Sequence, residues 1–232
     1  MYYNSGPDPG GLGNILMRLC YVDTVNKSFY DHGRGDFFKL TNIHVVEEVI
    51  PPLYIIPEIH SRISQLVEPT DTAKIYIEKY KHLVEGVSCA IQVRMSERSS
   101  NCIVRKGSRH TEFCDDSGLE KFKNIVASSE REVFMSSDCL ATKRLFREIF
   151  GSKIKFIDEE CQYMDCNNKD FPWVTCTDFF LLGMCPIVYM TGGHQTTNSF
   201  STFGYMAALY GRKPCNPIFN DPLPVAVEPS AE

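Results

Sequence analysis

The sequence predicts an α/β fold built on a parallel, Rossmann-like sheet, and three observations point there. From about residue 87 onward, short unbroken apolar runs alternate with amphipathic stretches of about 10 to 15 residues, the pattern of successive βαβ units. Turn residues close those stretches at Gly86, Gly151 and Gly211, where helices stop. The 232-residue chain is 43% hydrophobic and 23% charged, so it has the material for a real core.

Taken in order, Gly10 to Asn14 reads as a tight glycine turn leading into a helix over residues 15–25. Residues 28–69 read as irregular, with one strand near Leu53 to Ile56. Pro69-Thr70-Asp71 marks a helix start, and Ala73, Ile77, Tyr80 and Val84 recur at near-helical spacing up to Gly86. Residues 87–93 form an unbroken apolar run, expected to be a buried strand. The polar residues 96–116 are expected to form a loop. A helix over 119–127, a strand over 132–135 and a second helix ending at Phe150 follow. Ser137 or Asp138 is the expected cap of that helix, and Ala141, Leu145 and Ile149 its apolar face. A strand over 154–157, a helix over 173–184, a strand over 187–190 and a helix ending at Leu209, capped by Ser199 or Ser201, complete the pattern. The proline-rich tail after Lys213 is expected to be loose. Right-handed crossovers put the C-terminal ends of parallel strands on one edge, where such sheets bind ligands. The residues after Val93, those after Met135 and the segment from Thr191 to Phe203 fall on that edge.

Charge and composition exclude several classes. The net charge is −5 with no basic stripe, which argues against a nucleic-acid partner. No run of about 18 apolar residues reads as a membrane span. Residues 1–13 are polar and lack the apolar stretch of a signal peptide. On this reading the chain carries neither signal nor anchor. The cytoplasm is favoured, or a Golgi-type lumen if the chain is a piece of a longer protein. The ten cysteines are scattered without a Cys-x-x-Cys pair, so they read as mostly reduced thiols rather than zinc ligands. Asn26-Lys27-Ser28 is a lone glycosylation sequon.

The candidate chemistry gathers at the ligand edge. Residues 197–205, Thr-Asn-Ser-Phe-Ser-Thr-Phe-Gly-Tyr, follow a strand and open a helix, where backbone N–H groups and the helix dipole suit a phosphate. Arg94 ends a buried strand and offers a rigid fork of donors for a diphosphate, with Glu97 nearby to orient it or act as a base. Asp178 lies in a helix between Thr177 and an apolar run, and a carboxylate accepts paired N–H groups of the guanine kind. His110, Glu112, Cys114, Asp115 and Asp116 form a polar cluster that matches no strong metal motif, so no metal is expected.

In chain order these segments resemble the fucosyltransferase superfamily of GT-B-type fold. Gly11-Leu12-Gly13-Asn14 resembles its N-terminal glycine motif. Residues 92–97, Gln-Val-Arg-Met-Ser-Glu, resemble His-Val-Arg-Arg-Thr/Gly-Asp, and Val133 to Asp138 resembles a strand ending in Ser/Thr-Asp. Asp178 to Cys185 and Ser199 to Ala208 resemble the closing segment, in a form near the plant xyloglucan and α-1,2 type. The resemblance implies a GT-B donor domain over 87–215, a shortened acceptor-side region over 1–86 and a tail over 216–232. It implies transfer of fucose from GDP-fucose to a glycan hydroxyl with inversion, without a metal ion or other cofactor. It makes Arg94 and Glu97 catalytic. Gly11, Gly13, Asn14, Gln92, Arg94, Ser136, Asp138, Asp178, Ser201, Thr202 and Phe203 become the donor-binding set. Arg94 would stabilise the departing diphosphate; Ser201, Thr202 and Phe203 would cradle it; Asp178 would contact guanine; Ser136 and Asp138 would lie near the nucleoside. Three positions depart from the motif: Gln92 replaces histidine, Met95 the second arginine and Glu97 an aspartate. The short N-terminal half and the lost arginine leave open a module that binds nucleotide or glycan without transfer. A glycosyltransferase using another nucleotide sugar is the third reading.

Overall fold

The structure, a computed structural model, describes residues 12–22, 24–26, 34–41, 44–46, 62–95, 113–159, 161, 173–194 and 200–221. The N-terminal part contributes helix α1 (Leu12–Val22) and strands β1 (Thr24–Asn26), β2 (Phe38–Leu40) and β3 (His44–Val46). The short helix α2 (Ile63–Leu66), strand β4 (Val67–Pro69) and helix α3 (Asp71–Tyr80) follow. The sheet domain runs β5 (Cys89–Val93), α4 (Asp116–Ser128), β6 (Val133–Ser137), α5 (Leu140–Phe150), β7 (Ile154–Lys155), α6 (Trp173–Met184), β8 (Val188–His194), α7 (Thr202–Tyr210) and β9 (Cys215–Asn220).

Strands β5 to β9 form one wholly parallel sheet in the order β7-β6-β5-β8-β9. The chain starts in the middle, winds outward through β6 and β7, then returns to the other side of β5 to lay down β8 and β9. That is the strand order of a Rossmann sheet, and its topological switch point lies between β5 and β8. The expected α/β, Rossmann-like parallel fold is therefore observed. Alternate residues face opposite layers, as the pleat requires. Cys89, Ile91, Val93, Val133 and Met135 pack in one core with Leu119, Phe122 and Phe146 of α4 and α5. Ala90, Phe134 and Val188 pack in the other with α6 and α7. Leu16 and Leu19 of α1, Phe37 just before β2 and Phe38 in it belong to that second core. The N-terminal part thus seals one face of the sheet.

Several local expectations hold. Thr70 caps α3, its hydroxyl accepting from the Ala73 N–H at 3.2 Å. Gly151 ends α5 with φ +59°, and Gly86 turns with φ +74°. Helix α6 spans Trp173–Met184 as the sequence predicts. Eight cysteines lie in the described residues and all are free thiols. No helix of the described residues is long and apolar enough to cross a membrane. The expected strand near Leu53 to Ile56 lies outside the described residues.

Other expectations are corrected. Ala141, Leu145 and Ile149 of α5 are exposed, and the buried stripe is Thr142, Lys143 and Phe146. The helix turns inward the face that carries a phenylalanine and a lysine paired with Asp178. Neither Ser137 nor Asp138 caps α5: Cys139 holds the cap position without a side-chain bond. The tail after Lys213 is not loose at its start, since Cys215–Asn220 is the parallel edge strand β9. Pro217 is tolerated there because an edge strand has a side that needs no N–H donor.

Gly211 does end α7, as the sequence predicts, but with φ −77°, and Arg212 takes the left-handed position at φ +55°. Gly211 is small for a different reason. A Cβ there would fall on the backbone carbonyl of Gly183, where α6 and α7 cross. Gly211→Ala must therefore push the two helices apart, and overpacking of this kind costs about 1–3 kcal/mol. The expected result is a lower melting temperature in a thermal scan, and an unchanged melt would exclude so tight a crossing.

Candidate functional site

The site is built at the switch point, where β5 and β8 end side by side. Thr191, near the end of β8, is fully buried and joins three segments there. Its hydroxyl accepts the Arg94 N–H at 2.9 Å and donates to the Gln92 carbonyl at 3.2 Å. Its own carbonyl accepts the Ser201 N–H at 2.8 Å. One side chain and one carbonyl thus hold the residue after β5 next to the residue that opens α7.

Further bonds hold the loop that leaves β5. The Met95 N–H donates to Asp138 Oδ1 at 2.7 Å, which gives Asp138 a backbone-anchoring role in place of the expected cap. The Cys114 N–H returns to the Arg94 carbonyl at 2.8 Å. Asn220, buried at the end of β9, donates to the Phe113 carbonyl at 2.7 Å and accepts from the Asp115 N–H at 3.1 Å. The Arg94 guanidinium lies over the Phe113 ring, 4.8 Å from its centre, which orients a half-buried cation at the strand end.

Helix α7 begins at Ser201, which is buried and makes no side-chain capping bond. Its first turn lacks the usual side-chain acceptor and presents the positive end of the helix dipole at the same edge as Arg94. Two glycines let this helix sit so low. A Cβ on Gly204 would strike Met190 Cβ at 2.9 Å and Gln92 Oε1 at 3.1 Å. A Cβ on Gly13 would meet the backbone of Thr202 and Phe203, so the start of α1 lies directly on the first turn of α7. The glycine motif at the N-terminus and the Ser-Thr-Phe segment, 188 residues apart from Gly13 to Ser201, are neighbours in space.

A second cluster lies under α6. Asp178 and Lys143 are both fully buried, with Lys143 Nζ 3.6 Å from Asp178 Oδ2. The Ser136 hydroxyl donates to that same oxygen at 2.8 Å, and Lys143 also donates to the Ile157 carbonyl at 3.3 Å. Burial pushes the Asp178 carboxyl up from its ordinary range, with Lys143 and Ser136 pulling against it. Burial opposes the charged Lys143 most strongly, but Asp178, Cys161 and Asp138 together outweigh it and hold the ammonium above its usual value. Cys161 lies beside them, its thiol pushed up to about 11 by burial, so it is no nucleophile.

Of the residues singled out in the sequence, Gly13, Gln92, Arg94, Ser201, Thr202 and Phe203 come together at the switch point. Ser136 and Asp178 bond to one another in the adjoining cluster. Asn14 is exposed. Gly11, Glu97, Ser199, His110 and Glu112 lie outside the described residues. Asp115 caps α4 by accepting the Gly118 N–H at 2.9 Å, a structural role, and Asp116 is exposed in the first turn of that helix. Thr191, Lys143 and Asn220 escaped the sequence reading. Thr191 left one trace, its place just before Gly192-Gly193 at a strand's ligand end.

No known protein family matches the chain, and no curated protein does. Solved structures do. The chain is similar to POFUT1 in complex with GDP-fucose, at 12% identity and a TM-score of 0.45, over 77% of this chain and 54% of that one. It is similar to NodZ alpha-1,6-fucosyltransferase co-crystallised with GDP, at 13% identity and a TM-score of 0.45, over 72% of this chain and 50% of that one. It spans about half the length of these proteins.

Proposed function

We propose that the chain is the donor-sugar part of a glycosyltransferase, holding a nucleotide sugar by its diphosphate between Arg94 and the first turn of α7. The preferred reaction is transfer of fucose from GDP-fucose to a glycan hydroxyl with inversion. The observation that carries the reading is Thr191, which bonds to both the Arg94 and Ser201 backbones and so joins a cation to a helix N-terminus at the switch point. In such a transfer, negative charge develops on the leaving diphosphate. Donors already aimed at that charge lower the barrier without reorganisation. A guanidinium and a helix dipole supply that charge stabilisation without a metal ion. Asp178 would read the paired N–H groups of guanine, with Gln92, Ser136 and Asp138 around the nucleoside. Glu97 and Glu112 are candidate bases, while Asp115, the third candidate in the sequence, is engaged in capping α4. The near-plant form is a likeness of residues 178–185 and 199–208, with Gln92 two residues before Arg94.

GDP is expected to raise the melting temperature where ADP and UDP do not, with or without EDTA. No shift at millimolar GDP sinks the donor reading. A shift that EDTA abolishes sinks the metal-free part, and a preference for UDP moves the reading to another nucleotide sugar.

One observation favours a second reading, a module that binds without transfer. Met95 stands where the resembling motif carries its second arginine, and its side chain is buried in the α4–α5 core. GDP binding without release of GDP from GDP-fucose, across a panel of glycan acceptors, would select it.

A further inference from the structure

Two buried acceptor oxygens beside the site have no hydrogen-bond partner: Asp178 Oδ1 and Gln92 Oε1, on residues 0% and 5% exposed. They belong together. Gln92 and Ser136 are paired in register on adjacent strands, so both side chains rise on the same face of the sheet. Gln92 reaches under Gly204 of α7, while Ser136 bonds to Asp178 of α6. A buried carboxylate oxygen without a donor is costly, and each of these unfilled acceptors calls for a group that brings a donor. Lys143 touches the other oxygen of Asp178 and holds it together with Ser136. It is a fully buried lysine that the diphosphate chemistry does not use.

We propose that Lys143 is a positioning residue for a donor-reading subsite. With Ser136 it occupies Oδ2 of Asp178 and opposes protonation of the carboxylate, so that Oδ1 and Gln92 Oε1 take N–H groups from the ligand's base. This rests on the nucleotide-diphosphate reading of the site. The groups that set the charge are Lys143 from α5, Asp178 and Thr175 from α6, Ser136 from β6, Asp138 after it and Cys161. Without the ammonium, only Ser136 is left to oppose burial, which favours the neutral form of Asp178. Its hydroxyl proton then meets the donors it should accept.

The test is Lys143→Met, titrated calorimetrically with GDP and with inorganic pyrophosphate from neutral to alkaline pH. Pyrophosphate binding is expected to match the wild type, while GDP binds about tenfold more weakly at neutral pH, the scale of one charge-assisted hydrogen bond. The loss should shrink as rising pH ionises Asp178. Free of ligand, the variant's melting-temperature deficit should shrink as pH falls, because protonation removes the uncompensated charge. Unchanged GDP affinity in the folded variant, an equal loss of GDP and pyrophosphate, or a deficit that ignores pH overturns the inference alone. A wild type that binds neither ligand overturns the nucleotide reading and the inference with it. Should Lys143→Met fail to fold, Ser136→Ala takes its place. It should weaken GDP several-fold and leave pyrophosphate binding intact, and equal effects on the two would overturn the proposal.

Discussion

Asp178→Ala is expected to cost about 3–5 kcal/mol of stability, because it strips the partner from a buried cation and leaves that charge uncompensated. In the variant, Lys143 Nζ retains only the Ile157 carbonyl at 3.3 Å, and the Ser136 hydroxyl loses its acceptor. Neither group can reach water, since Lys143 is fully buried and Ser136 is 3% exposed. Asp178→Asn keeps an acceptor for Ser136 but not the charge, so its loss should fall between alanine and wild type. The measurement is a urea titration, with the midpoint falling and the slope unchanged. A loss below about 1 kcal/mol would place the pair in contact with solvent, where ion pairs are worth no more than that.

The pH dependence follows from the same pair. The folded protein holds the Lys143 proton more tightly than the unfolded chain. That part of the stability is fully present below the unfolded value of 10.5 and is lost as pH rises through the higher folded value. Burial raises Asp178 in the folded state, so charging it costs stability as pH rises above 3.8, the unfolded value. Asp178→Asn removes the second dependence and leaves Lys143 without its counter-charge.

What the sequence revealed and what it hid divide along physical lines. The run Val87 to Val93 announced a central strand because a parallel strand covered on both faces must be apolar throughout. Helix α6 was legible to the residue because Phe179 to Leu182, bounded by Trp173 and Met184, leaves no other face to bury. The switch point was legible only as a set of strand ends, since strand order is a long-range property no local window contains. The buried face of helix α5 was not legible, because its apolar spacing marks Ala141, Leu145 and Ile149 and a lysine gives no local sign of pointing inward. Its partner Asp178 is 35 residues away, and only the fold shows that Lys143 is the inward residue. Strand β9 was missed because Pro217 argues against a strand, and that argument fails at a sheet edge. Arg94 and the Ser-Thr-Phe segment were found, each for its own chemistry. Thr191, which joins them, was not, because a buried threonine hydroxyl shared between backbones has no signature in sequence.

That junction predicts two variants with different outcomes. Arg94→Ala removes the guanidinium and leaves every backbone bond of the junction in place. It forfeits, among its contacts, the stacking on Phe113 worth about 0.5–1 kcal/mol, so its cost should fall mainly on binding. Its GDP affinity should drop by roughly ten- to a hundredfold, the range for one lost hydrogen bond to a charged group. The GDP-dependent thermal shift should then vanish at concentrations that stabilise the wild type. Thr191→Val keeps the shape and deletes the hydroxyl. The Arg94 N–H then has no acceptor and the Gln92 carbonyl loses its donor, which costs about 1–3 kcal/mol of stability. GDP affinity should fall as well, through displacement of Arg94 and not through any lost contact with the ligand, and Thr191→Ser should restore both. A structural threonine unrelated to a ligand would lower stability alone. An arginine on an ordinary surface would change neither quantity. Only a site in which one hydroxyl sets the position of the binding cation gives a loss mainly of affinity from the first variant, and loss of both affinity and stability from the second.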